Sequence, residues 1–317
     1  MHRLVTANAL APCWELGLLV KTCVQSVTIA SIVGHHLNSY KMSMNYPYGK
    51  YVFLTGGSSG IGLATAELLA SCGYIVYSAS RHPASTPQKF PGGGEIRFVA
   101  IDVRDPISVA SASASVLAQA DIGIVIHCAG LGIACAGEDY PPEAVDNLMQ
   151  TNFNGVLQVN NRFLPHLRRR GGGFCGIIGS VAGILPVPFQ SHYCASKAAL
   201  DLYSATVRME LRDFNIRVCL IMPGDTKTGF TDSRKYEIDE NSPYYGACLK
   251  AVQKMERDER GGHKPISVAR VILKLIKRKN PPARTVVGFD YKLLVFLRRF
   301  LPDRFVEMII RAIYMKG

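Results

Sequence analysis

Between Tyr51 and Gly62 the chain reads YVFLTGGSSGIG. Four apolar residues, Tyr51 to Leu54, run into Thr55-Gly56 and then Gly60-Ile61-Gly62, and a periodic stretch from Leu63 to Cys72 follows. A buried strand that empties into a glycine turn and opens a helix has this pattern. Glycine lets the backbone bend where a Cβ would not fit and lets an anion come close. The N–H groups of a helix's first turn face such an anion, and the helix dipole favours it. Gly62 further allows the helix to lie close on the strand. The stretch points to a nucleotide phosphate. Its spacing, G-x-x-x-G-x-G, differs from the G-x-G-x-x-G of the commonest dinucleotide fingerprint, and a plain strand–turn–helix shares its outline. The flanking chain has to decide.

Downstream, short apolar runs alternate with helical stretches. Tyr74–Ala79, Ile96–Ile101, Ile122–His127, Phe174–Ile178, Ile216–Met222 and Thr285–Val287 read as strands. Ile107–Ala120, Pro141–Arg170 (with a bend at Pro165), Tyr193–Arg212 and the apolar stripe Val268, Val271, Ile272, Leu275 and Ile276 read as helices. Such alternation means an α/β protein: a single doubly wound, Rossmann-like parallel sheet with helices on both faces. Ligands of these sheets sit beyond the carboxyl ends of the strands. The glycine turn, Arg81, Asp102, Ala129-Gly130, Ser180 and Pro223-Gly224 all follow expected strands and should meet in one crevice.

The chain has 317 residues and 48% hydrophobic content, enough for one large domain. Nine scattered cysteines, without C-x-x-C or ligand spacing, fit reduced thiols in a cytoplasmic setting and argue against a metal site. His127, His166 and His192 lack carboxylate partners at ligand spacing and read as structural, with His192 a substrate neighbour of Tyr193. Residues 1–49 read as a leader outside the fold, with a functional start near Met44 or a weak membrane anchor as its alternatives. No apolar run there reaches the length of about 20 residues that spans a bilayer. Residues 50–317 form the domain. The net charge of +12 is concentrated at the end, where Lys254–Gly317 holds 16 Lys and Arg against 6 Asp and Glu. No recognition motif accompanies that charge, which argues against nucleic acid.

Thr55-Gly-Gly-Ser-Ser-Gly-Ile-Gly62, Cys128-Ala-Gly130, Asn152, Ser180, Tyr193-Cys-Ala-Ser-Lys197 and Pro223-Gly224 resemble the short-chain dehydrogenase/reductase family over roughly Lys50 to Phe230. Ser180 stands 13 residues before Tyr193, and Asn152 stands 28 before Ser180. The tail, Ala283–Leu294 and Leu301–Arg304, is similar to the branch containing 17β-hydroxysteroid dehydrogenases and the retinol and acyl-dihydroxyacetone-phosphate reductases. Cys128 stands where the family commonly has Asn.

The resemblance implies a catalytic set of Asn152, Ser180, Tyr193 and Lys197. Tyr193 and Lys197, four apart, share a helix face. A phenol of pKa near 10 is a poor acid or base at neutral pH, and a nearby ammonium with an oxidised nicotinamide would lower it. Tyr193 would then exchange a proton with a carbonyl or alcohol. Ser180 would hold the substrate oxygen; no G-x-S-x-G elbow surrounds it, which sets aside a hydrolase. By the same resemblance Asn152 would steady a water beside Lys197, with Asn154 as the wrong-register alternative. Lys197 would also hold the nicotinamide ribose. Cofactor contacts are implied for Thr55, Gly56, Ser58, Ser59, Gly60, Ile61 and Gly62, for Arg81, Asp102, Val103, Ala129 and Gly130, and for Pro223, Gly224 and Thr226. An acid after the second strand would hold the ribose 2′-hydroxyl of NAD; Ser80-Arg81-His82 offers instead an Arg for a 2′-phosphate, which favours NADP(H) over NAD(H).

Segment 229–265 interrupts the strand–helix pattern, and its Tyr236, Tyr244, Tyr245, Leu249, Val252 and Met255 suggest a lid over an apolar substrate. Residues 291–315 mix bulky apolar side chains with arginines and are broken by Pro302 into two helices. Those helices suit packing, pairing or a peripheral membrane contact. The expected activity is NADP(H)-dependent hydride transfer to a hydrophobic ketone, or from its secondary alcohol, steroid-like or lipid-derived. The expected assembly is a homodimer or homotetramer. A catalytically silent NADPH-binding sensor with the same fold is the alternative reading, and a membrane-bound structural protein is the weakest.

Overall fold

A computed structural model describes residues 46–231, 234–236 and 239–315, without the side chains of Lys235 and Tyr236. The expected leader up to residue 45, including the start near Met44, and the side chain of Tyr236 lie outside the described residues. The fold reaches further back than the expected boundary at residue 50. Tyr48 is buried and its hydroxyl donates to the carbonyls of Arg278 (2.7 Å) and Lys279 (3.1 Å), while Tyr46 packs edge-on against Tyr74.

The main strands are β1 (Tyr51–Thr55), β2 (Ile75–Ser80), β4 (Glu95–Ala100), β5 (Ile124–His127), β7 (Gly173–Ile178), β8 (Ile216–Met222) and β10 (Arg284–Val286). They form one sheet in the order β10-β8-β7-β5-β1-β2-β4, all parallel. A short antiparallel edge strand, β3 (Gln88–Lys89), pairs with β4. It lies in a Pro- and Gly-rich stretch between β2 and β4, so the sheet is mixed at that edge.

Alternation along each strand sends neighbours to opposite faces. Val52 and Leu54 join one core with Ile124, Ile126, Cys219 and Ile221, against helices α1 (Gly60–Ser71) and α7 (Pro265–Ile276). The α7 stripe Val268, Ile272, Leu275 and Ile276 is the apolar face read from the sequence. On the opposite face Phe53, Val125, Val218 and Leu220 meet α2 (Pro106–Gln119), α4 (Gly155–Arg169) and α5 (Ser191–Glu210). There Phe53 stacks on Phe163 with ring centroids 4.3 Å apart. Each such fully buried side chain contributes about 1.5–3 kcal/mol of apolar transfer. With both faces covered, the central strands β1, β5, β7 and β8 are mostly apolar and buried, as a buried parallel sheet requires.

The stretch expected as one helix from Pro141 to Arg170 has three parts. Helix α3 (Pro142–Met149) leads through a π-helical turn, Gln150–Asn154, into α4. Pro165 lies inside α4 and does not end it. Segment 229–265 holds β9 (Lys235–Tyr236), which pairs with β6 (Ile133–Ala134) in a separate two-stranded sheet, and helix α6 (Tyr245–Gly261). The base of this excursion is tied together. Lys227 N–H donates to the His263 carbonyl and His263 N–H to the Asp225 carbonyl, both at 2.9 Å. Helices α8 (Phe289–Arg298) and α9 (Asp303–Tyr314) end the described chain, with Pro302 immediately before α9.

Candidate active site

Strand order reverses at β1, since the chain winds outward through β2 on one side and β5 on the other. A crevice opens at the carboxyl ends of strands at such a point. Here it is a cavity of about 680 Å³. Ser58, Ser59, Gly60, Ile61 and Gly62 of the turn line it, together with Gly56, Arg81, Asp102, Val103, Ala129 and Gly130. Ser180, Tyr193, Lys197, Pro223, Gly224 and Thr226 line it as well. Thr55 and Asn152 stand just behind this wall.

The turn's shape demands its glycines. Gly56 has φ +72°, and a Cβ there would lie 2.5 Å from the Ala129 nitrogen. A Cβ on Gly62 would lie 2.1 Å from the Gly56 carbonyl oxygen. Thr55 Oγ1 accepts from Ala129 N–H at 3.4 Å, joining the ends of β1 and β5. The exposed Ser58 and Ser59, the start of α1 and the exposed Arg81 then leave donors and positive charge at one end of the crevice. These residues fit a dinucleotide: a phosphate finds helix N–H groups and hydroxyls, and Arg81 stands at the end of β2. Asp102 is forked by Arg104, with Oδ1 2.9 Å from Nε. Those hydrogen bonds hold the Asp102 carboxyl below its usual range, with help from the Arg81 charge.

At the other end, Tyr193 and Lys197 lie in the first turns of α5. Lys197 is buried and its Nζ donates to the Ile178 carbonyl at 3.0 Å, 5.7 Å from the centroid of the Tyr193 ring. Burial pulls the Lys197 ammonium down to about 8 and pushes the Tyr193 phenol up to about 12. The Ser180 hydroxyl acts the other way on the phenol. The expected lowering of the Tyr193 pKa concerns the ammonium acting together with an oxidised nicotinamide. In the protein alone Lys197 is turned to a backbone carbonyl, and desolvation governs the phenol. Ser180 Oγ accepts from Ala182 N–H at 3.1 Å, which fixes the serine at the head of a short 3₁₀ turn, Val181–Gly183.

Asn152 sits in the π-helical turn, but it does not reach the cavity. Its Oδ1 accepts from Leu131 N–H at 2.8 Å; its Nδ2 donates to the Leu131 carbonyl at 3.0 Å and to Ser196 Oγ at 3.1 Å. Its contacts clamp the strand exit that carries Gly130. They also link it to α5, one residue before Lys197. Cys128, where the resembled family commonly has Asn, is half-buried, and desolvation pushes its thiol up to about 12. The histidines are structural: His127 Nε2 pairs with Asn160 Oδ1 at 2.9 Å and His166 Nε2 with the Ile122 carbonyl at 3.0 Å. His192 packs at a tilt against Tyr140, with ring centroids 4.1 Å apart, and is not among the residues that line the cavity.

The sequence reading missed two groups. The apolar face of α9 (Val306, Ile309, Ile310, Ile313) closes the cavity beside Leu294 of α8. Arg234 and Glu259, 25 residues apart, pair in the same wall. No spacing joins an arginine in a loop to a glutamate on a later helix, although the α9 stripe was visible as apolar residues among arginines.

Residues 50–239 match the family model of the short chain dehydrogenases. The chain belongs to that family. It is 36% identical over 267 residues to a 3-ketodihydrosphingosine reductase of Bacteroides thetaiotaomicron, covering 83% of this chain and 97% of the relative. To human 17-beta-hydroxysteroid dehydrogenase type 1 it is 32% identical over 191 residues, 57% of this chain and 58% of that one. A short chain dehydrogenase from Burkholderia phymatum, solved with NAD, has the same fold at a TM-score of 0.70 and 23% identity, covering 84% of this chain and 96% of that one. This short-chain dehydrogenase is an oxidoreductase, and members of its fold have been solved with NAD or with NADP.

Proposed function

We propose that this short-chain dehydrogenase is an NADP(H)-dependent reductase of a hydrophobic ketone, interconverting it with the secondary alcohol. One observation carries the reading: the Ser180–Tyr193–Lys197 cluster and the glycine turn with Arg81 stand at two ends of one cavity. The cofactor supplies the hydride. The chain's own residues do the rest. Ser180 and Tyr193 hold the substrate oxygen, and Tyr193 gives it a proton as the carbonyl becomes an alcohol. The phenol holds its proton at neutral pH, but burial makes it a weaker acid, so the donation needs positive charge beside it. Lys197 holds the ribose and supplies positive charge near the reacting oxygen. Arg81, with Ser58 and Ser59, takes the 2′-phosphate, a charge-assisted contact that an exposed acid would repel.

The substrate is apolar for most of its length, because Leu185, Met255, Leu294, Ile309, Ile310 and Ile313 line the cavity. Segment 229–265 and α9 cover it as a lid. A lipid-derived ketone is favoured over a steroid by the relative matched along 97% of its length. The preference for NADP(H) is tested by steady-state reduction of a long-chain ketone with NADPH and with NADH. The wild type should favour NADPH by tenfold or more in kcat/KM, and Arg81→Ala should lose most of that ratio. Equal kcat/KM for both cofactors in the wild type would contradict it.

A further inference from the structure

The cavity contains charged groups that hydride and proton transfer do not use. Arg234 lies in the lid segment, and its side chain is 0% exposed. Its Nη2 donates to Glu259 Oε1, and the second oxygen of that carboxylate accepts from Thr231 Oγ1 at 2.6 Å. Arg234 Nε and Nη1 are buried and have no hydrogen-bond partner among the described residues. Both Arg234 and Glu259 line the cavity. Phe230 links them to the proton donor: its ring centroid is 5.9 Å from that of Tyr193 and 5.9 Å from the Arg234 guanidinium carbon. Gly132 presents no side chain here, and a Cβ on it would lie 3.7 Å from Arg234 Nε.

A buried guanidinium is tolerated when it is paired and its N–H groups are satisfied. Glu259 meets the first condition. The unpartnered N–H groups leave the second unmet, in a residue that lines the cavity. Both charges also act on the Tyr193 phenol, Glu259 raising its pKa and Arg234 lowering it, so the pair lies close to the reacting end. Glu259 offsets the arginine's charge, which favours a neutral acceptor over an anion.

We propose that Arg234, held by Glu259, recognises a second oxygen of the substrate, a hydroxyl or carbonyl within a few bonds of the ketone that is reduced. The substrate is thus an oxygenated ketone at one end and an apolar chain at the other. The inference rests on the reading of this site as a ketone reductase. A site built around hydrogen bonds to a substrate oxygen discriminates strongly against the analogue lacking it, because its own polar groups are then left unpaired.

The test uses dodecan-3-one and a series of hydroxydodecan-3-ones with the hydroxyl one to three carbons from the carbonyl. Binding is measured by calorimetry on the full chain loaded with NADP⁺, where no hydride is available. The best hydroxy ketone should bind the wild type at least about tenfold more tightly than dodecan-3-one, the size of one hydrogen bond to a charged group. In the paired variant Arg234→Met/Glu259→Met, which leaves no lone buried charge, the ratio should fall to near one, with folding checked by circular dichroism. The wild-type comparison needs no variant, so a misfolded variant does not shield the proposal. Equal binding of all the ketones, or binding of none, overturns it. Turnover with NADPH is measured separately. Preferential binding without turnover would contradict the reductase reading alone, whereas turnover without preference would contradict the role of Arg234 alone.

Discussion

At Tyr193 two demands oppose each other. Burial favours the neutral phenol, which is the form that donates a proton to a ketone, while alcohol oxidation needs the phenolate. The folded chain favours the first, with the phenol pushed up to about 12. Lys197 titrates lower, near 8, because burial disfavours its charge. Its pKa is depressed, so the ammonium is present below about 8 and is lost as pH rises through that value. The kcat/KM for ketone reduction reports the free protein's groups. It should be level from pH 6 to 7.5 and fall above about 8, by up to tenfold per unit. A profile that stays level to pH 9.5 would show that reduction does not depend on the Lys197 charge. The same lysine sets a stability trend: the unfolded chain binds more protons than the folded one between about 8 and 10.5, so the cost this buried charge imposes on folding shrinks as pH rises there.

Among the elements, the π-helical turn Gln150–Asn154 shows how backbone irregularity can serve a site. π-turns inside α-helices are rare and often occur at functional sites. This one carries the Asn152 side chain to the Leu131 peptide. Asn152→Ala would leave that N–H and carbonyl without their partner, costing about 1–3 kcal/mol of stability. Urea melts should show that loss, together with reduced turnover, as Gly130 and α5 lose their tie; an unchanged midpoint would refute the clamp. The family resemblance pointed to an asparagine here and implied a water beside Lys197; it gave no sign of the clamp on Leu131. The π-turn arises from tertiary contacts, to which helical periodicity is blind. Strands were more legible. Ile216–Met222 was read residue for residue, because it is an apolar run, interrupted by Arg217 alone, bounded by Asn215 and Pro223. The two-residue strands Gln88–Lys89, Ile133–Ala134 and Lys235–Tyr236 were not, since a pair of residues carries no period. In the site, the residues beside strand ends were legible from order along the chain. Arg234 and Glu259 meet only through the folding of the lid.

Across the whole molecule, α8 and α9 combine two features. Their inward side closes the cavity, and their outward side exposes Phe289, Phe296, Phe300, Phe305 and Met308 next to Arg299 and Arg304. Among the described residues no helix is long and apolar enough to cross a membrane. Exposed apolar side chains beside arginines suit the surface of an anionic bilayer. The peripheral membrane contact expected from the sequence would fall on this face. Vesicles containing phosphatidylserine should sediment the full chain at low salt, and Phe296→Asp/Phe300→Asp should reduce the bound fraction several-fold. A chain that stays in the supernatant with such vesicles would remove the contact.

The central claim is that Tyr193 passes a proton while hydride moves between nicotinamide and a ketone. The most direct test follows NADPH oxidation with a long-chain 3-ketone for the wild type and Tyr193→Phe, with NADPH affinity measured on both. The variant should bind NADPH as the wild type does and lose turnover by about 10²- to 10⁴-fold. Equal turnover by the two proteins would contradict the claim.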